Sequence, residues 1–215
     1  SQPVIFWPMS STVSPAGGNF KEPVTESTSK VARCFYALSQ ARADSKRYPA
    51  IEPLQSYSRY LDYTEFQEFC EEHIQSGWID RVYEARDLMQ RGQEAKDQID
   101  ILGDDSVPME YHMAFWRSEL LDFAFLQQDS FDEVDMNTSM DRQKYMLNKT
   151  LAICRIEFQF ENFEEVGTYY KKIINLLRQM NYSEWESDSF AQFKKELEEM
   201  LNHQPRAQEE EAAAT

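Results

Sequence analysis

Residues 79–102 read IDRVYEARDLMQRGQEAKDQIDIL, and this stretch decides the fold class. Its apolar residues recur at intervals of three and four, which is typical of an α-helix with one buried face. They are Val82, Ala85, Leu88, Met89, Ile99 and Leu102. The following residues, GDDSVP at 103–108, combine a glycine that ends a helix with a proline that can begin one. The stretch therefore predicts two consecutive helices, over about 79–102 and about 108–128.

The same spacing predicts helices over most of the remaining chain. They cover approximately residues 25–45, 53–61, 64–76, 140–160, 162–181 and 188–203. One β-like segment is predicted, from about Val4 to Val13, and the turn-forming run SPAGGN at 14–19 ends it. We therefore expect a mainly α protein, in which a bundle of about six to eight helices follows a short β-like element.

Composition and charge exclude several classes of function. The 215 residues include 22 Lys and Arg against 38 Asp and Glu, a net charge of −16, which argues against binding nucleic acid or an anionic membrane through charge. Charged residues interrupt every apolar region, so no direct membrane insertion is expected. The three cysteines, Cys34, Cys70 and Cys154, are widely spaced and form no CxxC pair. Such usage is typical of a reducing compartment, and we expect a cytoplasmic protein.

Motifs for catalysis or for binding phosphate are absent from the sequence. There is no GxSxG, no GxGxxG and no Gly-Lys pair, hence no GxxxxGK[ST] phosphate loop. Cys70 and His73 share a helical face, but no second pair of ligands accompanies them, which favours a structural role. Acidic runs such as 196–199 are typical of solvated helix faces. The sequence thus predicts no catalytic residue and no metal site in this chain.

One polar stretch suggests a binding site instead. Residues 127–135 read QQDSFDEVD, in which Phe131 is the only large aromatic residue, directly after an apolar helix. This arrangement suits a planar ligand or a partner surface. The alternative is that Phe131 packs in the core, as most phenylalanines do.

Three separate segments resemble, in order, the C-terminal third of the catalytic A subunit of V/A-type rotary ATPases. They are TVSPAGGNFKEPVT at 12–25, RYPAI at 47–51 with SYS at 56–58, and LQQDSFDEVD at 126–135. The run ARAD at 41–44 is closest to the bacterial branch of that family. The resemblance extends from Thr12 to about Leu151. It implies that residues 1–24 are a remnant of the nucleotide-binding domain and that 25–205 form the C-terminal helical domain. Residues 206–215 are expected to be an acidic flexible tail.

The resemblance also implies two functional sites. Tyr48 and Phe131 match the aromatic residues that flank the purine ring in the family, and Ser130 replaces the usual alanine beside Phe131. The second site is a loop that contacts the central stalk, and we expect it to be exposed, with carboxylates free of internal partners. It consists of Gly103, Asp104, Asp105, Ser106, Val107, Pro108, Met109 and Glu110. The alternative is a simple hairpin turn with solubilising aspartates.

The function implied is that of a rotary ATP-driven proton or sodium pump, or ATP synthase. Its partners would be the B subunits and the central stalk, and the complex would hold the chain at the membrane periphery. The complete subunit would use Mg-ATP or Mg-ADP, whereas this chain has no cofactor and is expected not to hydrolyse ATP alone. A free-standing acidic helical adaptor is the alternative. A helical enzyme built on scattered carboxylates has no support in the spacing.

Overall fold

The computed structural model of the protein describes Thr12 and residues 19–203. Within them the chain forms a helical bundle, so the prediction of a mainly α fold is confirmed. The helices are α1 (Pro23–Val31), α2 (Gln40–Asp44), α3 (Thr64–His73), α4 (Trp78–Leu102), α5 (Met109–Leu121), α6 (Met140–Cys154), α7 (Phe163–Tyr182) and α8 (Asp188–His203). The predicted β-like segment and the predicted acidic tail lie outside the described residues, apart from Thr12.

A small antiparallel sheet precedes the bundle. It pairs β1 (Cys34–Phe35) with β2 (Tyr57–Ser58), and the rings of Phe35 and Tyr57 stack with their centres 5.7 Å apart. The helix predicted over 25–45 is therefore wrong in its middle. Val31 and Leu38, which carried its apolar spacing, are 82% and 69% exposed, so they supply no buried face that would hold a helix together.

The helix predicted over 53–61 is also wrong. After Pro53 the chain makes a turn, enters β2 and then forms a single 3₁₀ turn at Arg59–Asp62. The side chain of Ser58 caps this turn by accepting a hydrogen bond from the amide of Tyr60. Pairing with β1 satisfies the backbone here, and short local periodicity could not distinguish that outcome from a helical turn.

Helices α4 and α5 form the hairpin that the opening stretch predicts. They approach closely where Gly92 faces Ser118: a Cβ added at Gly92 would lie 2.0 Å from the Ser118 Cβ. Beyond Leu121, α5 passes into a π-helical turn at Asp122–Leu126. The helix predicted over 108–128 therefore ends in a π-helical turn, which is wider than an α-helical one. This turn places Asp122 and Gln127 near the candidate site.

The main core lies where α5 packs against α6, α7 and α8. Its completely or almost completely buried side chains include Leu120, Met146, Tyr170, Ile173, Leu177 and Leu197. A smaller cluster joins α4 to α5 and α6 through Met89, Leu121, Leu147 and Leu151. Burial raises the pKa of the Cys154 thiol to about 12 and also raises that of Cys70, so both cysteines act as apolar core residues.

Cys70 and His73, for which a structural role is predicted, lie in different environments. Cys70 is buried, whereas the exposed His73 ring stacks on Phe69 with ring centres 4.5 Å apart. Among the described residues, no group of three or more His, Cys, Asp or Glu side chains is arranged to hold a metal ion. In the same part of the chain, no helix combines the length and apolar character that crossing a bilayer requires.

Candidate functional site

The candidate site is an open cleft of about 570 Å³. One wall comes from Lys46 and Tyr48, and another from the loop that follows α5, which contributes Gln127, Ser130 and Phe131. The end of α7 supplies a further part of the lining through Arg178, Asn181 and Tyr182. Tyr48, Ser130 and Phe131, which the sequence singled out as one site, therefore line the same cavity.

A backbone hydrogen bond holds the two aromatic segments together. The carbonyl of Tyr48 accepts from the amide of Gln128 at 2.9 Å, across 80 residues of sequence. Lys46 has a left-handed backbone (φ 57°), and the Tyr48–Pro49 peptide bond is cis. The chain turns sharply at this point, and the side chain of Tyr48 remains 54% exposed at the cleft.

The loop that carries Phe131 is organised around the buried Asp135. The carboxylate of Asp135 accepts from the amide of Asp129 at 2.6 Å, and its carbonyl accepts from the side chain of Gln128 at 2.6 Å. Burial raises the pKa of Asp135, against the opposing effects of the Asp129 amide and the positive charge of Arg142. Asp129 in turn accepts from the amide of Phe131 at 2.9 Å. A rigid loop therefore presents Phe131.

Phe131 itself is 97% exposed. The alternative that it packs in the core is wrong. Burying a phenylalanine side chain stabilises a fold by about 1.5–3 kcal/mol. Because Phe131 is exposed, it does not contribute this stabilisation. An exposed aromatic ring on a hydrogen-bonded loop, at the mouth of a cleft, is the arrangement that a planar ligand needs.

A cluster of four charged side chains lies behind Tyr48. Asp122 accepts two hydrogen bonds from Arg42, at 2.6 and 3.1 Å, and one from Arg47 at 2.5 Å. Arg47 also donates twice to Glu119, each time at 2.8 Å, and its guanidinium lies 4.6 Å from the centre of the Phe123 ring. Burial by itself lowers the pKa of Arg47, but the hydrogen bonds and charges of Glu119 and Asp122 raise it above its ordinary value. This cluster attaches the segment before Tyr48 to the end of α5.

Sequence reasoning missed this cluster and the residues from α7. Arg42 and Arg47 do fall inside the ARAD and RYPAI segments, so the motifs pointed to the right part of the chain without assigning these side chains a role. Arg178, Asn181 and Tyr182 carry no local signal, because they end an ordinary amphipathic helix. Asn181 is nevertheless firmly placed: its Nδ2 donates to the Ala124 carbonyl at 2.9 Å.

The second candidate site is the tip of the α4–α5 hairpin. Residues 103–106 are exposed and form a 3₁₀ turn at Asp104–Ser106, and Ile101 beside them is 74% exposed. Among the described residues Asp104 pairs with no Lys or Arg, and its Oδ1 lies 3.9 Å from Nδ1 of the buried His112. His112 Nε2 also lies 3.0 Å from the Asp104 carbonyl oxygen. Within the described residues, Asp105 and Glu110 have no side-chain partner.

The cleft and the tip are separate. They share no lining residue, and the 13 residues of α5 lie between them, a distance of about 20 Å at 1.5 Å per helical residue.

Residues 67–162 match the family model described as the C-terminal domain of V and A type ATP synthase. These residues belong to that domain family. The match includes the hairpin, its tip and the loop that presents Phe131. The resemblance read from the segments at 12–25, 47–51 and 126–135 is therefore confirmed.

Similar curated proteins carry the same family name. The V-type ATP synthase alpha chain of Treponema denticola is 36% identical over 83% of this chain and 28% of its own length. That of Protochlamydia amoebophila is 34% identical over 90% of this chain and 32% of its own. The chain thus spans about 30% of the length of these relatives. A solved structure, described as a unique ATP synthase subunit NeqB from Nanoarcheaum equitans, covers 65% of this chain and 32% of that one, with 21% identity and a TM-score of 0.48.

Proposed function

We propose that this chain is the C-terminal helical domain of the catalytic subunit of a V-type rotary ATPase, a proton or sodium pump or an ATP synthase. Its cleft would bind the adenine of ATP or ADP, and its hairpin tip would contact the central stalk. The observation that carries the proposal is the position of Tyr48 and Phe131. They lie far apart in sequence, yet they line one open cleft and are joined through the Tyr48–Gln128 backbone bond.

The chemistry of the cleft suits a base. Its volume of about 570 Å³ falls in the range of small-molecule sites, and two exposed aromatic rings provide faces for stacking. The sequence contains no Gly-Lys pair and hence no phosphate loop. Phosphate and Mg²⁺ would be bound by other parts of the complete subunit, which would carry out ATP hydrolysis or synthesis there. Ser130 is exposed beside Phe131 and adds a hydroxyl to the rim.

The tip suits contact with a moving partner. It combines exposed carboxylates at Asp105 and Glu110 with the exposed apolar residues Ile101 and Leu102. His112 anchors the turn from below, stacked on Phe163 with ring centres 5.0 Å apart. A turn held at its base and open at its end can transmit force. Through the complex, with B subunits and the central stalk as partners, the domain would lie at the membrane periphery on the cytoplasmic side.

For the cleft, we predict weak binding that depends on Phe131. Stacking contributes about 1–3 kcal/mol per base, which by itself corresponds to a dissociation constant in the millimolar range or weaker. Phe131→Ala should therefore weaken AMP binding by roughly fivefold to a hundredfold. Because the side chain is 97% exposed, the free energy of unfolding should change little. An NMR titration of the ¹⁵N-labelled chain with AMP measures the affinity, and urea denaturation measures the stability.

Tyr36→Ala is the matched control, since Tyr36 is also an exposed aromatic residue and does not line the cleft. It should leave AMP binding unchanged. The wild-type chain should also show negligible ATP hydrolysis. A micromolar dissociation constant for Mg-ATP, or a Phe131→Ala variant that binds AMP as well as the wild type does, would contradict the adenine assignment.

For the tip, we predict a selective loss of coupling in the assembled complex. Replacing Asp104, Asp105 and Glu110 by alanine removes three negative charges from the proposed stalk contact, about 20 Å from the cleft. Nucleotide binding should be intact, and ion transport per ATP hydrolysed should fall, although steric contact can preserve part of the torque. Transport into sealed vesicles and ATP hydrolysis are measured on the same preparation.

The control for the tip is a variant with the same change of charge elsewhere. Glu65, Glu68 and Glu72 are exposed on α3, and their replacement by alanine should leave coupling unchanged. If both triple variants transport ions with wild-type coupling, the tip is a simple hairpin turn. If the tip variant loses nucleotide binding, the two sites are not independent.

A further inference from the structure

The side-chain amide of Asn181 has a fixed orientation in the wall of the cleft. Its Nδ2 donates to the Ala124 carbonyl at 2.9 Å, and its own backbone carbonyl accepts from the guanidinium of Arg142. Turning the amide over would break the first of these bonds. The side-chain oxygen, Oδ1, accepts no hydrogen bond from the described residues, and it is not sealed from solvent. Asn181 lines the cleft and also a smaller adjoining pocket of about 120 Å³ that contains Ala124. Its oriented acceptor is therefore available to a ligand at the boundary of the two cavities.

Gln127 supplies a second polar group in the same lining. Its Nε2 is a buried donor without a hydrogen-bond partner. Buried polar atoms in folded proteins nearly always have partners, so an orphaned donor in the lining of a cavity needs an explanation. A ligand that brings an acceptor to Gln127 would satisfy it, after a small turn of the side chain toward the cleft.

These two groups complement one edge of an aminopurine. Adenine presents an amino donor at position 6 next to a ring nitrogen acceptor on either side. Resting on the proposed function, in which the base lies beside Tyr48 and Phe131, we infer that Asn181 is a specificity-determining residue for 6-aminopurines. Its Oδ1 accepts from the 6-amino group, and Gln127 Nε2 donates to the adjacent ring nitrogen. Arg142, buried in the first turn of α6, holds Asn181 in place through the backbone carbonyl of Asn181.

The consequence is discrimination against 6-oxopurines. Hypoxanthine and guanine carry an oxygen at position 6, which would face the Asn181 oxygen and leave both acceptors unpaired. A site that is built to hydrogen-bond one group of a ligand rejects analogues that lack it, because its own polar atoms then lose their partner. Stacking on Tyr48 and Phe131 tolerates every base. Selectivity therefore depends on Asn181, and affinity depends on the two rings.

The test compares three nucleotides on the ¹⁵N-labelled 215-residue chain: AMP, IMP, and purine riboside monophosphate, which lacks the 6-amino group. The backbone amide of Phe131 and the side-chain amide of Asn181 report binding. The wild type should bind AMP about three to ten times more tightly than either analogue, the effect of one hydrogen bond. These comparisons change only the ligand, so they do not depend on the folding of any variant.

Two variants test the assignment to Asn181. Asn181→Ala should bind all three nucleotides with nearly equal affinity. Asn148→Ala is the matched control: Asn148 also donates through its side-chain amide, to Gln75 at 2.7 Å, and it does not line the cleft. It should retain the wild-type preference.

The outcomes separate this inference from the proposed function. Equal affinities of the wild type for AMP and IMP, or an unchanged preference in Asn181→Ala, overturn the role of Asn181 and leave the stacking site in place. If no purine nucleotide shifts the Phe131 resonance even at the highest soluble concentration, the adenine cleft itself fails and the inference fails with it.

Discussion

Replacing Asp122 by asparagine is expected to destabilise the folded chain by about 3–5 kcal/mol. The Asp122 side chain is only 2% exposed, and it neutralises two guanidinium groups, those of Arg42 and Arg47. Asparagine has nearly the same shape, so packing is preserved, but the charge is lost and an NH₂ donor replaces one of the two oxygens that accept from the guanidinium groups. Arg47 then keeps its ion pair with Glu119, whereas Arg42 loses the ion pair that it makes among the described residues. Urea denaturation, followed by circular dichroism, measures the change in unfolding free energy.

Asp141→Asn is the control for the same chemical change at an exposed site. Asp141 pairs with Lys144 at 2.6 Å, but its side chain is largely exposed, and such pairs contribute within about 0.5 kcal/mol. Asp122→Asn should also weaken AMP binding, because Arg47 precedes Tyr48 in the chain. An unfolding free energy within 1 kcal/mol of the wild type, taken as about one hydrogen bond, would mean that the cluster is screened by water and does not hold the segment.

Gly92→Ala should destabilise the chain, by about 2–3 kcal/mol, although the same change stabilises an isolated helix by up to about 1 kcal/mol. The reversal of sign follows from the close approach of α4 and α5. A Cβ at position 92 would lie 2.0 Å from the Ser118 Cβ and 3.2 Å from the Ala114 carbonyl oxygen. The two helices must move apart to admit it, and the contacts of Met89 and Leu121 in the small core cluster would loosen.

A compensating substitution tests this explanation directly. Ser118→Gly removes the atoms that the new methyl group meets, so the double variant should be more stable than Gly92→Ala alone. Gln93→Ala, at the neighbouring exposed position of α4, should change stability by no more than about 0.5 kcal/mol. A Gly92→Ala variant that is more stable than the wild type would show that the hairpin tolerates a wider spacing.

The helices that the sequence predicted correctly are those with a continuous buried face. Helix α8 occupies Asp188–His203, the predicted range, and α4 begins within one residue of its predicted start. Their apolar spacing reflects burial against neighbours. Over 25–45 the spacing had no such cause, because Arg42 is placed there by Asp122, which lies 80 residues away. Helical periodicity is read over a window of about 10 to 20 residues. Such a window around Arg42 does not include Asp122.

The residues of the candidate site also fall into a group that the sequence predicts and a group that it does not. Tyr48, Ser130 and Phe131 were predictable because they belong to rare segments that resemble a known family, and the structure brings them to one cleft. Asn181 and Gln127 were not assigned a role, since an amide becomes informative only when its hydrogen bonds are known. The same limit applies to His112: its link to Asp104 depends on a turn geometry that composition does not specify.

In the proposed function, α5 would act as the arm of a lever, because the charged cluster and the hairpin tip lie at its opposite ends. Glu119 and Asp122 hold one end against the segment of Tyr48, and the contact at Gly92 binds α4 alongside without a side chain between the backbones. Over an arm of about 20 Å, a tilt of about 10° at the clamped end displaces the free end by about 3–4 Å. A rotation that barely alters the shape of the cleft thus becomes, at Asp105, a stroke as long as the spacing between neighbouring residues along the chain.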